Sequence, residues 1–145
     1  MKTTITVILA MVILTYSGCK DKAEVAAEIA ELEPAAITAA WDWLKAVDSE
    51  EYEKSWVEAT EYLRNATGKE NWVKLLEAQR KPLGQMTNRE VKKTQYKTTL
   101  PGSPDGQYFI IEYSSRFKNK EAALETLTTK REEDGVWRVA GYFIK

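Results

Sequence analysis

The sequence predicts an α+β domain in which three helices pack on a curved, four-stranded antiparallel sheet. Three observations point to it. Between residues 35 and 80, apolar side chains recur at i, i+3, i+4 and i+7, the spacing of helices with one buried face. From Gln85 onward the period drops to two, with turn residues separating the runs. The chain closes on Asp134-Gly135, a hairpin signal whose type I′ form needs φ > 0 at both central positions, and the strand that follows. In that strand Trp137, Val139, Gly141 and Phe143 alternate with Val136, Arg138, Ala140, Tyr142 and Ile144, so both faces are largely apolar. An interior strand with cover on both sides is expected, because a solvated face would be polar.

The first helix is expected from Ala35 to Val47, burying Ile37, Ala40, Trp41, Leu44 and Val47. Asp48 or Ser49 caps a second, Glu50 to Ala66, which buries Tyr52, Trp56, Ala59, Leu63 and Ala66. Thr67 and Glu70 have the spacing of a capping box and start a third, which runs to Arg80 with Trp72, Leu75, Leu76 and Gln79 on one side. Pro82 ends it. Arg89 to Thr99 reads as a polar edge strand protected by its lysines. Tyr108 to Phe117 points Phe109, Ile111, Tyr113 and Phe117 inward, and Ala122 to Arg131 supplies the third strand.

The chain has 145 residues, 43% of them hydrophobic and 30% charged, enough for one small core. A net charge of −1 and a pI near 5.7 give no basic footprint for nucleic acid. With no histidine and one cysteine, zinc sites, histidine bases and internal disulfides are excluded, and no metal or cofactor is expected. No glycine-rich phosphate loop is present.

Residues 1–18 read as a signal peptide: Lys2, then the short apolar run Ile5 to Leu14. Ser17-Gly18-Cys19 resembles a bacterial lipobox, with Tyr16 where Leu is commonest, and makes Cys19 the expected lipidation site. Residues 19–34, rich in Ala and Glu, are expected to form a charged tether closed by Pro34, and residues 35–145 the domain. The implied location is the cell envelope, lipid-anchored and facing the periplasm, with a soluble secreted or periplasmic form as the alternative.

Carboxylates remain for chemistry. Glu112 and Glu125 lie on adjacent strands, where burial could make one a general base. The structural expectation is a cross-strand ion pair with Arg116 or Lys130. Arg138, alone on an apolar strand, is expected to pair structurally, with anion binding as its functional alternative.

At Trp56, Trp72, Arg80-Lys81-Pro82-Leu83-Gly84, Leu100 to Tyr108, Lys120, Glu125-Thr126 and Gly135 to Tyr142, the chain resembles a bacterial family of small exported domains, domain of unknown function 4019. The resemblance covers roughly residues 36–145 and implies no activity. In architecture alone, helices on a curved sheet are similar to the cystatin-like and nuclear-transport-factor-2-like cone folds, whose enzymes hold an acid or His in the cone. The leading functional expectation is therefore non-enzymatic binding of a small apolar ligand or a protein partner. An aromatic-lined concavity formed by Trp41, Trp56, Tyr113, Trp137, Arg138 and Tyr142 would hold it. The alternatives are a cone enzyme of isomerase or hydratase type with a Glu base, and an assembly module that dimerises through its sheet.

Overall fold

The computed structural model describes residues 21–145, so Cys19 and the apolar run before it lie outside the described residues. Four helices, α1 (Lys22–Asp48), α2 (Tyr52–Val57), α3 (Glu61–Thr67) and α4 (Lys69–Gln79), precede a 3-10 turn at Lys81–Leu83. Four strands follow, β1 (Met86–Lys97), β2 (Gln107–Phe117), β3 (Lys120–Arg131) and β4 (Trp137–Ile144). They form an antiparallel meander in the order β1-β2-β3-β4, and the helices pack on one face of it.

The largest departure from the sequence reading is α1. Pro34 does not end a tether; it sits inside a continuous 27-residue helix. Proline in a helix interior forfeits one backbone bond. Packing of Ile29, Leu32 and Ile37 against the core compensates, and the Thr94 hydroxyl donates to Glu33 from the neighbouring strand. The buried stripe of α1 is Ala36, Ala40, Trp43, Leu44 and Val47; Trp41 is only partly buried.

The expected second helix is two. The chain breaks at Glu58–Thr60, where the Thr60 amide donates to the Val139 carbonyl at 2.9 Å and fixes the break to the edge of β4. The Thr60 hydroxyl then caps α3 by accepting from the Leu63 amide. Thr67 caps nothing. Its hydroxyl donates to the Leu63 carbonyl, and Gly68, at φ +67°, starts α4. Ser55 ties the helices together: its carbonyl accepts from the Trp43 indole at 2.7 Å and its hydroxyl from the Trp72 indole at 3.0 Å.

The sheet carries extra residues that reverse the facing of its strands. In β4 the register steps from Thr129 opposite Val139 to Thr128 opposite Gly141, leaving Ala140 as the extra residue. A one-residue bulge flips the alternation beyond it. Trp137 and Val139 face the helices as expected, but past the bulge Tyr142 turns to the helix side and Phe143 to solvent, where it is 55% exposed. Lys92 does the same in β1, so Arg89 and Val91 share the helix face with Thr94 and Tyr96. Among the described residues no helix covers the outer face of the sheet, although Tyr108 is buried there and its hydroxyl donates to the Pro104 carbonyl. The final turn is also not type I′. The Gly135 amide donates to the Glu132 carbonyl, and Gly135 alone takes positive φ, at +78°.

Candidate functional site

Two features stand out, a buried charge cluster and an open cleft beside it. The cluster begins with Glu125 on β3, 0% exposed and on the inward face opposite Tyr113. One oxygen accepts from Arg89 Nε at 2.6 Å and from the Ser115 hydroxyl; the other accepts from the Tyr142 hydroxyl at 2.7 Å and from Arg89 Nη2 at 3.1 Å. Arg89 lies on β1 and reaches over β2, where Ser115 is its cross-strand neighbour. Its other side grips Asp48, with Nη1 to Oδ2 at 2.6 Å and Nη2 to Oδ1 at 3.0 Å. Arg80, at the end of α4, donates to Asp48 at 3.0 Å and to the Gly84 carbonyl at 2.7 Å, with its guanidinium 4.3 Å above the Phe117 ring.

Two arginines and two carboxylates thus join α1, α4, β1 and β3. Burial pushes the Asp48 carboxyl up, but the hydrogen bonds and charges of Arg89 and Arg80 outweigh this and hold it below its ordinary 3.8. Burial works against the Arg89 charge, and its bonds to Asp48 and Glu125 more than restore it. For Tyr142, burial and the facing Glu125 carboxylate both push the phenol far above its usual range, keeping it a donor.

Glu112 and Glu125 do not face each other. Glu112 is half-buried on the outer face, opposite Lys93 and Thr126. Neither Arg116 nor Lys130 is Glu125's partner; Arg89, read as part of a solvated edge, is. Arg138 pairs with Asp134 in the turn that precedes it, through two bonds of 3.0 and 2.8 Å. Those bonds and the Val136 amide hold the Asp134 carboxyl down at about 2.

The six expected lining residues fall in different places. Tyr113 is fully buried, its ring edge-on to Trp41 at 5.5 Å, and its hydroxyl has no hydrogen-bond partner among the described residues. Tyr142 meets Trp43 at 5.4 Å above Glu125. Trp56 is half-buried on α2. Only Trp137 and Arg138 border the open cleft, which lies between α1 and the start of β4 and has a volume of about 640 Å³. Trp43, Trp137 and Val139 form its floor, Ala35 and Ala39 its α1 wall, and Asp42, Glu58 and Arg138 its rim. A second, polar depression of about 620 Å³ adjoins it across Arg138, with Arg64, Lys130, Glu61, Glu133 and Asp134 around it.

Among the described residues no group of acidic, His or Cys side chains could hold a metal ion, and no helix is long and apolar enough to cross a membrane.

Fold and site together define a small helix-on-sheet domain with a salt-bridged core and a surface cleft. Residues 39–142 match the family model described as protein of unknown function (DUF4019), and the chain belongs to that family. The matched segment contains all six side chains of the buried cluster. No curated protein and no solved structure matches the chain.

Removing one member of a buried ion pair strands the other, at a cost of about 3–5 kcal/mol. Arg89→Met and Glu125→Leu should each lose stability on that scale in urea unfolding, and the double variant should lose clearly less than their sum. Additive losses would show that the two charges are not coupled.

Asp48 also predicts an acid limb. Its folded-state carboxyl titrates below its unfolded value, so its stabilisation is complete above about pH 5 and is lost as the pH falls through the folded value. Asp48→Asn should flatten the fall in urea midpoint between pH 5 and 3. A limb as steep as that of the parent protein would assign it to other carboxylates.

Proposed function

We propose that this domain is a non-enzymatic binding module, lipid-anchored in the cell envelope, that holds an apolar ligand or a protein segment in the cleft between α1 and β4. The cleft carries this reading. Its volume lies in the range of known ligand sites, and its floor presents two tryptophans and a valine beneath a polar rim. Its walls are pre-formed, since the Thr60–Val139 bond pins the segment bearing Glu58 to β4. Glu125 supports binding over general-base chemistry. Both its oxygens are engaged within the core, and it borders neither the cleft nor the depression beside it. Ser17-Gly18-Cys19 after an apolar run supports the anchor.

Intact-mass measurement of the mature protein from a bacterial membrane fraction should show a diacylglyceryl-modified Cys19 as the first residue. An unmodified Cys19 would remove the anchor. In detergent-free buffer, the apolar dye N-phenyl-1-naphthylamine should brighten on binding the protein, and Ala39→Trp, which fills the cleft from the α1 side, should weaken that binding about tenfold or more. Equal binding by both proteins would place the dye elsewhere and reject the cleft.

A further inference from the structure

The rim of the cleft is charged, and the balance of its charges identifies what fits it. Taken together on either side of Arg138, the cleft and the polar depression carry Glu58, Glu61, Glu132, Glu133 and Asp134 against Arg64, Lys130 and Arg138 among the described residues; Asp42, also on the rim, is matched by Lys45 at 2.7 Å. Two of the three cations are matched to acids: Lys130 lies 3.8 Å from Glu132, and Arg138 is bound by Asp134. Arg64 keeps its charge but turns its Nη1 to the Val57 and Ala59 carbonyls. Glu58, Glu61 and Glu133 are exposed and have no ion-pair partner within 4 Å among the described residues. The surface therefore has an apolar floor and an acid excess around it, with three unpaired glutamates against the single guanidinium of Arg64.

Val136 and Val57 add apolar area at the edge. They are 49% and 59% exposed, one bordering each depression, so each depression offers an apolar side chain at its edge. A compact apolar ligand would use the floor and leave the carboxylates without purpose. An extended polypeptide reaches both depressions, setting an apolar side chain over Trp43 and Trp137 and its flanking cations among the carboxylates.

We propose that the occupant of this cleft is a basic polypeptide segment, apolar side chains interleaved with Lys or Arg, contributed by a partner protein. This rests on the reading of the cleft as the binding site, and it names the partner's chemistry. Acidic segments are repelled by the same rim, which gives the surface its selectivity.

The test uses two dye-labelled, end-blocked hexapeptides, Lys-Leu-Lys-Phe-Leu-Lys and its counterpart with Glu in place of every Lys. Binding to the purified protein is followed by fluorescence anisotropy at low salt and in 0.5 M NaCl. The Lys peptide should bind about tenfold tighter than the Glu peptide or better, and the advantage should shrink at high salt. Combined Glu58→Lys, Glu61→Lys and Glu133→Lys should abolish or invert the preference; all three sites are exposed, and an unchanged far-UV spectrum checks the fold. Ala39→Trp should weaken the Lys peptide about tenfold.

Equal binding of the two peptides, or a preference that survives the charge reversals, overturns the basic-segment proposal. The cleft reading then stands if Ala39→Trp still removes the naphthylamine dye. A Lys-peptide preference that survives Ala39→Trp overturns the location, and with it the cleft as the binding site for this class. The salt dependence needs no variant, so a misfolded substitution leaves the proposal exposed to failure.

Discussion

The fold depends on a charge pair that it must itself keep dry. Arg89 and Glu125 come from strands that are not paired with each other, and they meet above the strand between them, almost wholly out of solvent. Stripping water from two ions costs several kcal/mol each, and their attraction offsets this only where the remaining donors and acceptors are also satisfied. Here they nearly all are. Ser115 and Tyr142 complete Glu125, and Asp48 completes Arg89. Asp48 stands at the C-terminus of α1, where the helix dipole disfavours a carboxylate, and the two guanidinium groups make that position favourable. Arg89 bridges the two acids and Arg80 adds a second cation to Asp48, so the cluster ties the end of α1 and the end of α4 to one register of the sheet.

The bulge at Ala140 makes this arrangement possible. Without it, strict alternation would send Tyr142 to the outer face beside Arg138 and leave one lone pair of Glu125 without a donor. With it, one short strand does two jobs. Its first half supplies Trp137 and Val139 to the floor of the cleft, and its second half supplies Tyr142 to the buried cluster. Phe143 is left in solvent as a consequence, the most exposed aromatic side chain of the sheet.

Periodicity made the architecture legible. The helix-to-strand switch, the meander and the inward row Phe109, Ile111, Tyr113 and Phe117 all follow from spacing alone, because burial of one face enforces it. The cluster was hidden for the same reason. Arg89 sits in a Lys- and Thr-rich strand, where a solvated edge is the ordinary reading, and its partner is 36 residues away on a strand two places over. The usable signal was polarity on an inward phase: Ser115 continues the Phe109-to-Phe117 row, and a hydroxyl there requires a buried polar neighbour. Bulges carry no comparable signal, since Ala140 and Lys92 are unremarkable in composition, and so the facing of Tyr142 could not be read. Pro34 misled in the opposite sense. Its local cost is real, but packing of Ile29, Leu32 and Ile37 overrides it.

The continuity of α1 through Pro34 has a mechanical consequence. Residues 22–28 are exposed and project about 10 Å beyond the point where Ile29 meets the core. The same helix forms a wall of the cleft farther along, through Ala35 and Ala39. A helix turns about 100° and rises about 1.5 Å per residue. The length of this overhang therefore sets an angle: one residue more or less between residues 22 and 28 would turn the first turn of α1 by about 100° relative to the acidic rim.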